Sequence, residues 1–360
     1  EAALAQMSGE GENGIAVQSA GVAIDNTNFP DANFCSFVAS SFDKDNDNYL
    51  SDTEINAAEN INCAKKGISD LTGISHFTAL KSLKCYGNQL TTLDVSKNTA
   101  LTYLDCYNNQ LTFLDVSKNT ALTKLECRNN QLTALDVSKR SEEHTLYCGN
   151  NQLTALDVSK NTALTKLSCA ANQLTTLDVS KNTALTYLVC RSNQLTALDV
   201  SKNTALTDLD CRKNQLTSLD VSNTNMDDLD CDDNIYQIVV GNDRTFDLST
   251  LPGNFNVAKT SDWSGGTVSG NTLTVDSDQD SVTYKYDCGK DKQRTFTLKC
   301  VESANYANVD AAIAKANNLN KDDYKDFTAV EAAINAVVRG KNITEQSEVD
   351  AMAKAIEDAI

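Results

Sequence analysis

The chain has 360 residues and a formal net charge of −18 at pH 7, with a pI of about 4.5. No basic cluster interrupts that acidity, so a nucleic-acid backbone would be repelled. No apolar run approaches the roughly 18 residues that a membrane span needs, which argues against insertion within this stretch.

Residues 1–24 open with EAALAQMSGEGENGIAVQSAG, which lacks a charged start followed by an apolar block. They are expected to form a flexible tail, of the kind exposed when a signal peptide is removed. Residues 25–62 predict a helical cap. DANFCSFVASSF is apolar at helical spacing and runs into FDKDNDNYLSDTEI. Asp43, Asp45, Asp47, Ser51 and Glu54 fall at positions 1, 3, 5, 9 and 12 of an EF-hand loop. Tyr49 would give its backbone carbonyl at position 7, and Leu50 is the apolar eighth residue. Asn48 stands at position 6, where glycine is expected; asparagine tolerates the required left-handed backbone better than most residues. Calcium in a structural role, stiffening the cap, is the expected cofactor. The alternative is an acidic turn that keeps the geometry without the ion.

Residues 63–235 repeat. Cysteines stand at 63, 85, 106, 127, 148, 169, 190, 211 and 231, in a repeat of the form LxxLxCxxNQLTxLDVSxNTA. A period near 21 residues predicts a solenoid with one structural turn per copy. LTYLDCYNN, residues 101–109, matches the leucine-rich-repeat pattern LxxLxLxxN with cysteine as the third apolar residue. On the short strand of each turn, Leu104 and Cys106 face inward while Tyr103, Asp105 and Tyr107 face outward. Successive cysteines then stack about 4.8 Å apart, side by side. A disulfide needs the two side chains turned towards each other, and zinc needs ligands converging on one point. The column therefore reads as buried thiols acting as small hydrophobes. The asparagine three residues after each cysteine, from Asn88 to Asn234, is expected to turn inward and satisfy backbone groups where the chain leaves the strand. The aspartate of each LDVS is expected to fix the opposite turn.

The copies differ mainly at −3, −1, +1 and +2 from the cysteine, the outward positions that would line a concave face. Candidate ligand-binding residues there are Tyr86, Tyr103, Tyr107, Lys124, Arg128, Tyr147, Lys166, Tyr187, Arg191 and Arg212. Tyrosine and arginine are favoured at binding hot spots. Relaxed drift at exposed positions, with tyrosine kept for its β-propensity, is the plainer alternative.

One copy is broken: Ser138 to Cys148 reads SKRSEEHTLYC where the preceding copy reads SKNTALTKLEC. Glu143 takes the place of an inward leucine. A lost packed leucine costs about 2–5 kcal/mol, and an unpaired buried charge costs more. Glu143 is therefore expected to swing to solvent and loosen the turn. A metal or ligand site at Glu142, Glu143 and His144 is the functional alternative. RSEEHT is also the translation of one frame of a common sequencing adapter, a third reading in which Arg140–Thr145 is foreign to the repeat.

Residues 236–301 predict a small β-domain, an Ig-like sandwich. YQIVV, RTFDL, TLTVD, SVTYKY and RTFTLKC alternate like strands, and Trp263 is the expected core anchor. In the hairpin around GKDKQ, Cys288 should face about residue 294 and Cys300 about 282, too far apart to join; these two and Cys35 have no assigned role. The acids of NMDDLDCDDN mark either a cation site or a solvated end. Residues 302–360 predict a three-helix bundle. Val309, Ile313 and Ala316, then Val330, Ile334 and Val337, then Val349, Met352 and Ile356 recur at helical spacing.

The cap, the cysteine-bearing repeats and the trailing β-domain together resemble bacterial surface leucine-rich-repeat proteins of the internalin type. YANVDAAIAKANNLNKDDYKDFTAVEAAINAVV resembles the FIVAR module of cell-wall proteins. The resemblance implies an α+β multidomain architecture and a secreted or wall-attached, monomeric, non-enzymatic adhesin. Its partner would be a host or extracellular-matrix protein or glycan. The chain stops on AIEDAI inside a helical pattern, so a fragment of a longer protein is expected. The alternative is a recognition or spacer region of a larger secreted enzyme or wall protein whose activity lies beyond residue 360. Within these residues the only histidines are His76 and His144, and no nucleophile–base pairing, HExxH or phosphate loop occurs.

Overall fold

A computed structural model describes residues 21–321 and 326–360. The N-terminal cap consists of β1 (Val22–Ala23), α1 (Ala32–Phe42), β2 (Tyr49–Leu50) and α2 (Asp52–Ala57). Asp31 starts α1: its Oδ1 accepts from the Asn33 and Phe34 amides, each at 2.9 Å. Its Oδ2 accepts from the Ser69 amide at 2.8 Å, which ties the cap to the first turn of the solenoid. Phe29, Phe34 and Val38 are fully buried, and Phe42 lies on Phe77 with ring centroids 5.2 Å apart. These rings close the open apolar end of the stack. Most of the expected tail, residues 1–20, lies outside the described residues. Its last part is ordered instead of free, because β1 pairs antiparallel with β2.

Nine strands follow: β3 (Asn60–Asn62), β4 (Ser82–Lys84), β5 (Tyr103–Asp105), β6 (Lys124–Glu126), β7 (Thr145–Tyr147), β8 (Lys166–Ser168), β9 (Tyr187–Val189), β10 (Asp208–Asp210) and β11 (Asp228–Asp230). They form one parallel sheet in chain order, with each central leucine opposite the next, as Leu104 is opposite Leu125. The nine repeat cysteines are fully buried and free, as the alternation requires. Burial pushes the Cys63 and Cys169 thiols up to about 12, so they remain protonated. The asparagines turn inward. Asn130 Nδ2 donates to the Cys106 and Cys127 carbonyls at 3.0 and 3.1 Å, and its Oδ1 accepts from the Leu111 amide at 3.0 Å. The LDVS aspartates close the other bend: Asp94 Oδ1 accepts from the Ser96 amide at 2.9 Å. A second amide row runs beneath it, where Asn119 Nδ2 donates to the Val95 and Asn98 carbonyls, both at 2.9 Å.

The broken turn departs from expectation. Glu143 is fully buried, and its Oε1 lies 3.3 Å from Nη1 of Arg140, itself 1 % exposed. The two substitutions pair with each other, though neither Nη of Arg140 nor Oε1 of Glu143 makes a hydrogen bond; Arg140 occupies the position of the second-row asparagine and Glu143 that of the leucine. Oε2 of Glu143 also accepts from Asn161 Nδ2 at 3.2 Å. The strand is undisturbed, with Leu146 between Leu125 and Leu167. Glu143 turns away from exposed Glu142 and His144, so the three do not converge on a point.

Beyond the repeats come β12 (Ile235–Val240), β13 (Thr245–Asp247), β14 (Thr260–Ser264), β15 (Gly266–Ser269), β16 (Thr272–Val275), β17 (Ser281–Asp287) and β18 (Gln293–Glu302). They make a four-stranded sheet, β12-β18-β17-β14, and a three-stranded sheet, β13-β16-β15. Tyr284 and Phe296, both fully buried, anchor the core rather than Trp263, which is half-buried and stacks on Tyr284 at 4.5 Å. Trp263 sits on an edge strand with a register shift between Ser261 and Ser264. In the β17–β18 hairpin Cys288 bonds to Lys292 and Cys300 to Asp280, two residues from the expected register; both thiols are free. The Tyr284 hydroxyl donates to the Thr217 carbonyl at 2.6 Å, and the core of this unit is continuous with that of the solenoid. The C-terminal end of the stack is thereby covered. Helices α3 (Ala307–Asn317), α4 (Thr328–Asn335) and α5 (Gln346–Ala359) share a separate core around Val309, Val330, Val349 and Ile356.

Candidate binding face and metal loop

The outward residues of the sheet form a connected layer. Tyr103 on β5 lies between lysines of both neighbouring strands, with Lys124 Nζ 4.6 Å and Lys84 Nζ 5.7 Å from its ring centroid. Its hydroxyl donates to Asp105 Oδ2 at 3.2 Å; burial, then the Asp105 charge, raises this phenol to about 12. One position further along, the Arg128 guanidinium grips Glu126 with two bonds, at 2.7 and 2.8 Å. It also lies over Tyr107 at 5.6 Å and Tyr147 at 5.2 Å. The Glu126 bond raises Arg128 above its ordinary value and locks it as a cation. Two groups thus lie side by side on turns β4 to β7, Tyr103 with Lys84 and Lys124, and Arg128 with Tyr107 and Tyr147. Tyr86 lies apart beside Lys65, 5.8 Å from its centroid.

After Tyr147 the floor becomes shallow, with Gly149, Ser168 and Ala170 all buried. Lys166, Tyr187 and Arg191 rise around it and are exposed. Arg191 reaches Asp210 at 3.5 Å, and Arg212 bridges Asp210 and Asp230 at 2.9 and 3.5 Å. The ten expected residues therefore share one face without meeting at one point. The carboxylates that orient the arginines, Glu126 and Asp210, were not among the expected residues. Their signal is the two-residue spacing to Arg128 and Arg212, which puts acid and base on the same side of an extended chain. Also unanticipated is Phe113, 70 % exposed where the other copies carry alanine, threonine or serine. It lines a cleft of about 550 Å³ on the flank of the solenoid.

In the cap loop, oxygens of Asp43, Asp45 and Asp47 lie within 4.8 Å of one another, the only such trio of potential metal ligands among the described residues. Asn48 adopts φ +66°, the left-handed backbone that position 6 requires. Desolvation, then the like charge of Asp47, raises the Asp45 carboxyl, so the loop concentrates negative charge that a cation would relieve. Glu54 bends back over the loop: Oε1 accepts from the Lys44 amide at 2.6 Å and Oε2 from the Ser51 amide at 2.9 Å. Burial alone would raise Glu54, but these bonds hold it below its ordinary value. An all-oxygen donor set on a single short loop fits a hard divalent ion such as calcium.

A family model described as leucine-rich repeats in two copies matches residues 99–140. The solenoid is built of leucine-rich repeats. Internalin J of Listeria monocytogenes serotype 4b is 44 % identical over 70 residues, 19 % of this chain. That match spans 8 % of the relative's length. Among solved leucine-rich-repeat structures, internalin C2 of L. monocytogenes covers 59 % of this chain and 98 % of its own at 20 % identity, with a TM-score of 0.53. It shares the fold. The functional domain of internalin J from L. monocytogenes, described as including a cysteine ladder, aligns over 79 % of this chain and 100 % of its own, with 25 % identity and a TM-score of 0.41.

Proposed function

We propose that this leucine-rich-repeat chain is a non-enzymatic binding module of a bacterial surface or secreted protein, and that its strand face recognises a host or extracellular-matrix protein or glycan. The carrying observation is the contrast between a core repeated turn after turn and an outward layer that differs on every strand. That layer sets Lys124 over Tyr103, and Arg128 over both Tyr107 and Tyr147. Internalin-like repeat proteins are typically protein-interaction proteins of bacterial surfaces, and the likeness to internalin J supports the same setting here. The cap loop is an EF-hand-like calcium site in this reading, Ser51 contributing beside Asp43, Asp45, Asp47, Tyr49 and Glu54. The two sheets after the repeats are an Ig-like spacer and the three helices a FIVAR-like one, and the chain acts as a monomer.

An array of matrix proteins, mucins and glycans probed with the chain tests the proposal. Binding should fall at least tenfold when Lys124, Arg128 and Arg191 are reversed together to glutamate. Hits that survive this triple reversal unchanged would remove the strand face from the reading and leave the spacer alternative.

A further inference from the structure

Charge is unevenly divided along the strand face. From the turn of Cys63 to that of Cys190, the outward positions carry Lys65, Lys84, Lys124, Arg128, Lys166 and Arg191 against two carboxylates, Asp105 and Glu126. On the last two turns Asp208, Asp210, Asp228, Asp230, Asp232 and Asp233 stand against Arg212 and Lys213. The same face is thus net basic over seven turns and net acidic over two, in a chain whose total charge is −18. Internal pairing leaves the division standing. Glu126 is enclosed by Arg128, and Asp210 is engaged by Arg191 and Arg212. Lys84, Lys124 and Lys166 on one side, and Asp208, Asp228 and Asp232 on the other, enter no ion pair among the described residues. With strands about 4.8 Å apart, the centres of the two groups are separated by roughly 20–25 Å.

We propose that the strand face takes a protein partner with a matching charge dipole. Its acidic patch would seat on β4 to β9 and its basic patch on β10 and β11, which fixes the docking direction. This rests on the strand-face reading above and deepens it. A uniformly anionic polysaccharide long enough to cover the face would be drawn to one part and repelled by the other. A polypeptide surface can segregate both signs over 20 Å, and the tyrosines between the lysines suit its apolar side chains. Such complementarity acts on orientation and association rate, and it weakens with salt.

Defined peptides test the dipole on the full chain at low salt, with binding followed by biolayer interferometry. One peptide carries six glutamates, a four-residue Gly-Ser linker and four lysines. A second has the same composition with the charges interleaved, and a third is decaglutamate. The blocked peptide should bind about tenfold more tightly than the interleaved one. Lys84→Glu, Lys124→Glu and Lys166→Glu together should abolish that preference. Asp228→Lys, Asp230→Lys and Asp232→Lys should invert the ranking, making decaglutamate the tightest; the corresponding Asp→Asn set is the milder form should the lysine variant fold poorly. Equal binding of blocked and interleaved peptides, or decaglutamate ranking first on the unmodified chain, overturns the proposal. So does the absence of binding by all three, while the array above would still judge the strand face itself.

Discussion

Restoring the broken turn should stabilise the protein, and by an amount that depends on pH. Arg140→Asn with Glu143→Leu replaces a buried ion pair by the residues that the neighbouring turns carry. By the ladder geometry, an asparagine at 140 would donate to the Val116 and Asn119 carbonyls, as Asn119 does to Val95 and Asn98. Exchanging a buried pair for well-packed apolar residues typically gains 1–4 kcal/mol. Part of that gain can be located. Burial lifts the Glu143 carboxyl from 4.5 to about 7, with the Arg140 charge only partly opposing it. At about 1.4 kcal/mol per pKa unit, ionising Glu143 in place costs on the order of 3 kcal/mol. A folded value above the unfolded one means the folded chain holds the proton more tightly. The penalty is therefore absent below pH 4.5, grows between 4.5 and 7, and is complete above 7. Urea denaturation followed by circular dichroism, at pH 8 and pH 5, gives the stability difference between variant and parent; taking that difference cancels the other carboxylates. The variant should be more stable by 2–4 kcal/mol at pH 8, with the gap shrinking by more than half at pH 5. Glu143→Leu alone strands Arg140 in the core and should be about 3 kcal/mol or more worse than the double change. A gap that does not change with pH, or a single change as stabilising as the double, would refute the reasoning.

Alkylation of the native chain at pH 8, read by mass spectrometry, should stop at a single adduct on half-buried Cys35, because the other eleven thiols are buried. Adducts on several repeat cysteines would mean the strands face the other way. Ala171 holds φ +52° where neighbouring turns place Asn129 and Asn150, so Ala171→Asn should raise stability by about 0.5–1 kcal/mol in chemical denaturation. A loss of stability would contradict the left-handed assignment. Calcium at a hundred times its dissociation constant should stabilise the cap by about 2.7 kcal/mol, seen as a chelator-reversible rise in Tm that Asp43→Ala and Asp45→Ala remove. No rise at millimolar calcium would leave the loop an acidic turn.

What could be read ahead of the structure follows from where the information lies. The repeats were legible because period, strand alternation and inward asparagine all say the same thing on every turn, so Leu104, Cys106 and Asn109 needed no tertiary context. The left-handed residue two after each cysteine was not, since glycine, asparagine, alanine, serine, lysine and aspartate all occupy it. Strands β14 and β15 were missed because TSDWS and GTVS lack apolar alternation and are held by pairing with β17 and β16. Glu143 was misread for a related reason. Its partner Arg140 is three residues away, but only the fold of the turn points both inward, and a single position judged by its own polarity cannot register that. On the binding face, identities were legible and pairings were not: Tyr103 between two lysines is a property of three strands at once.

Each turn bonds to its immediate neighbours: Asn130 reaches back to Cys106, and the Cys106 amide forward to Glu126. A 21-residue unit is also 63 nucleotides, which keeps the reading frame. Unequal recombination between such similar copies can therefore delete or insert whole turns without leaving an unfilled core. Every such event would move the acidic end about 4.8 Å relative to the basic end. The gene thus carries an easily adjusted ruler, whose length selection can match to whatever the face holds.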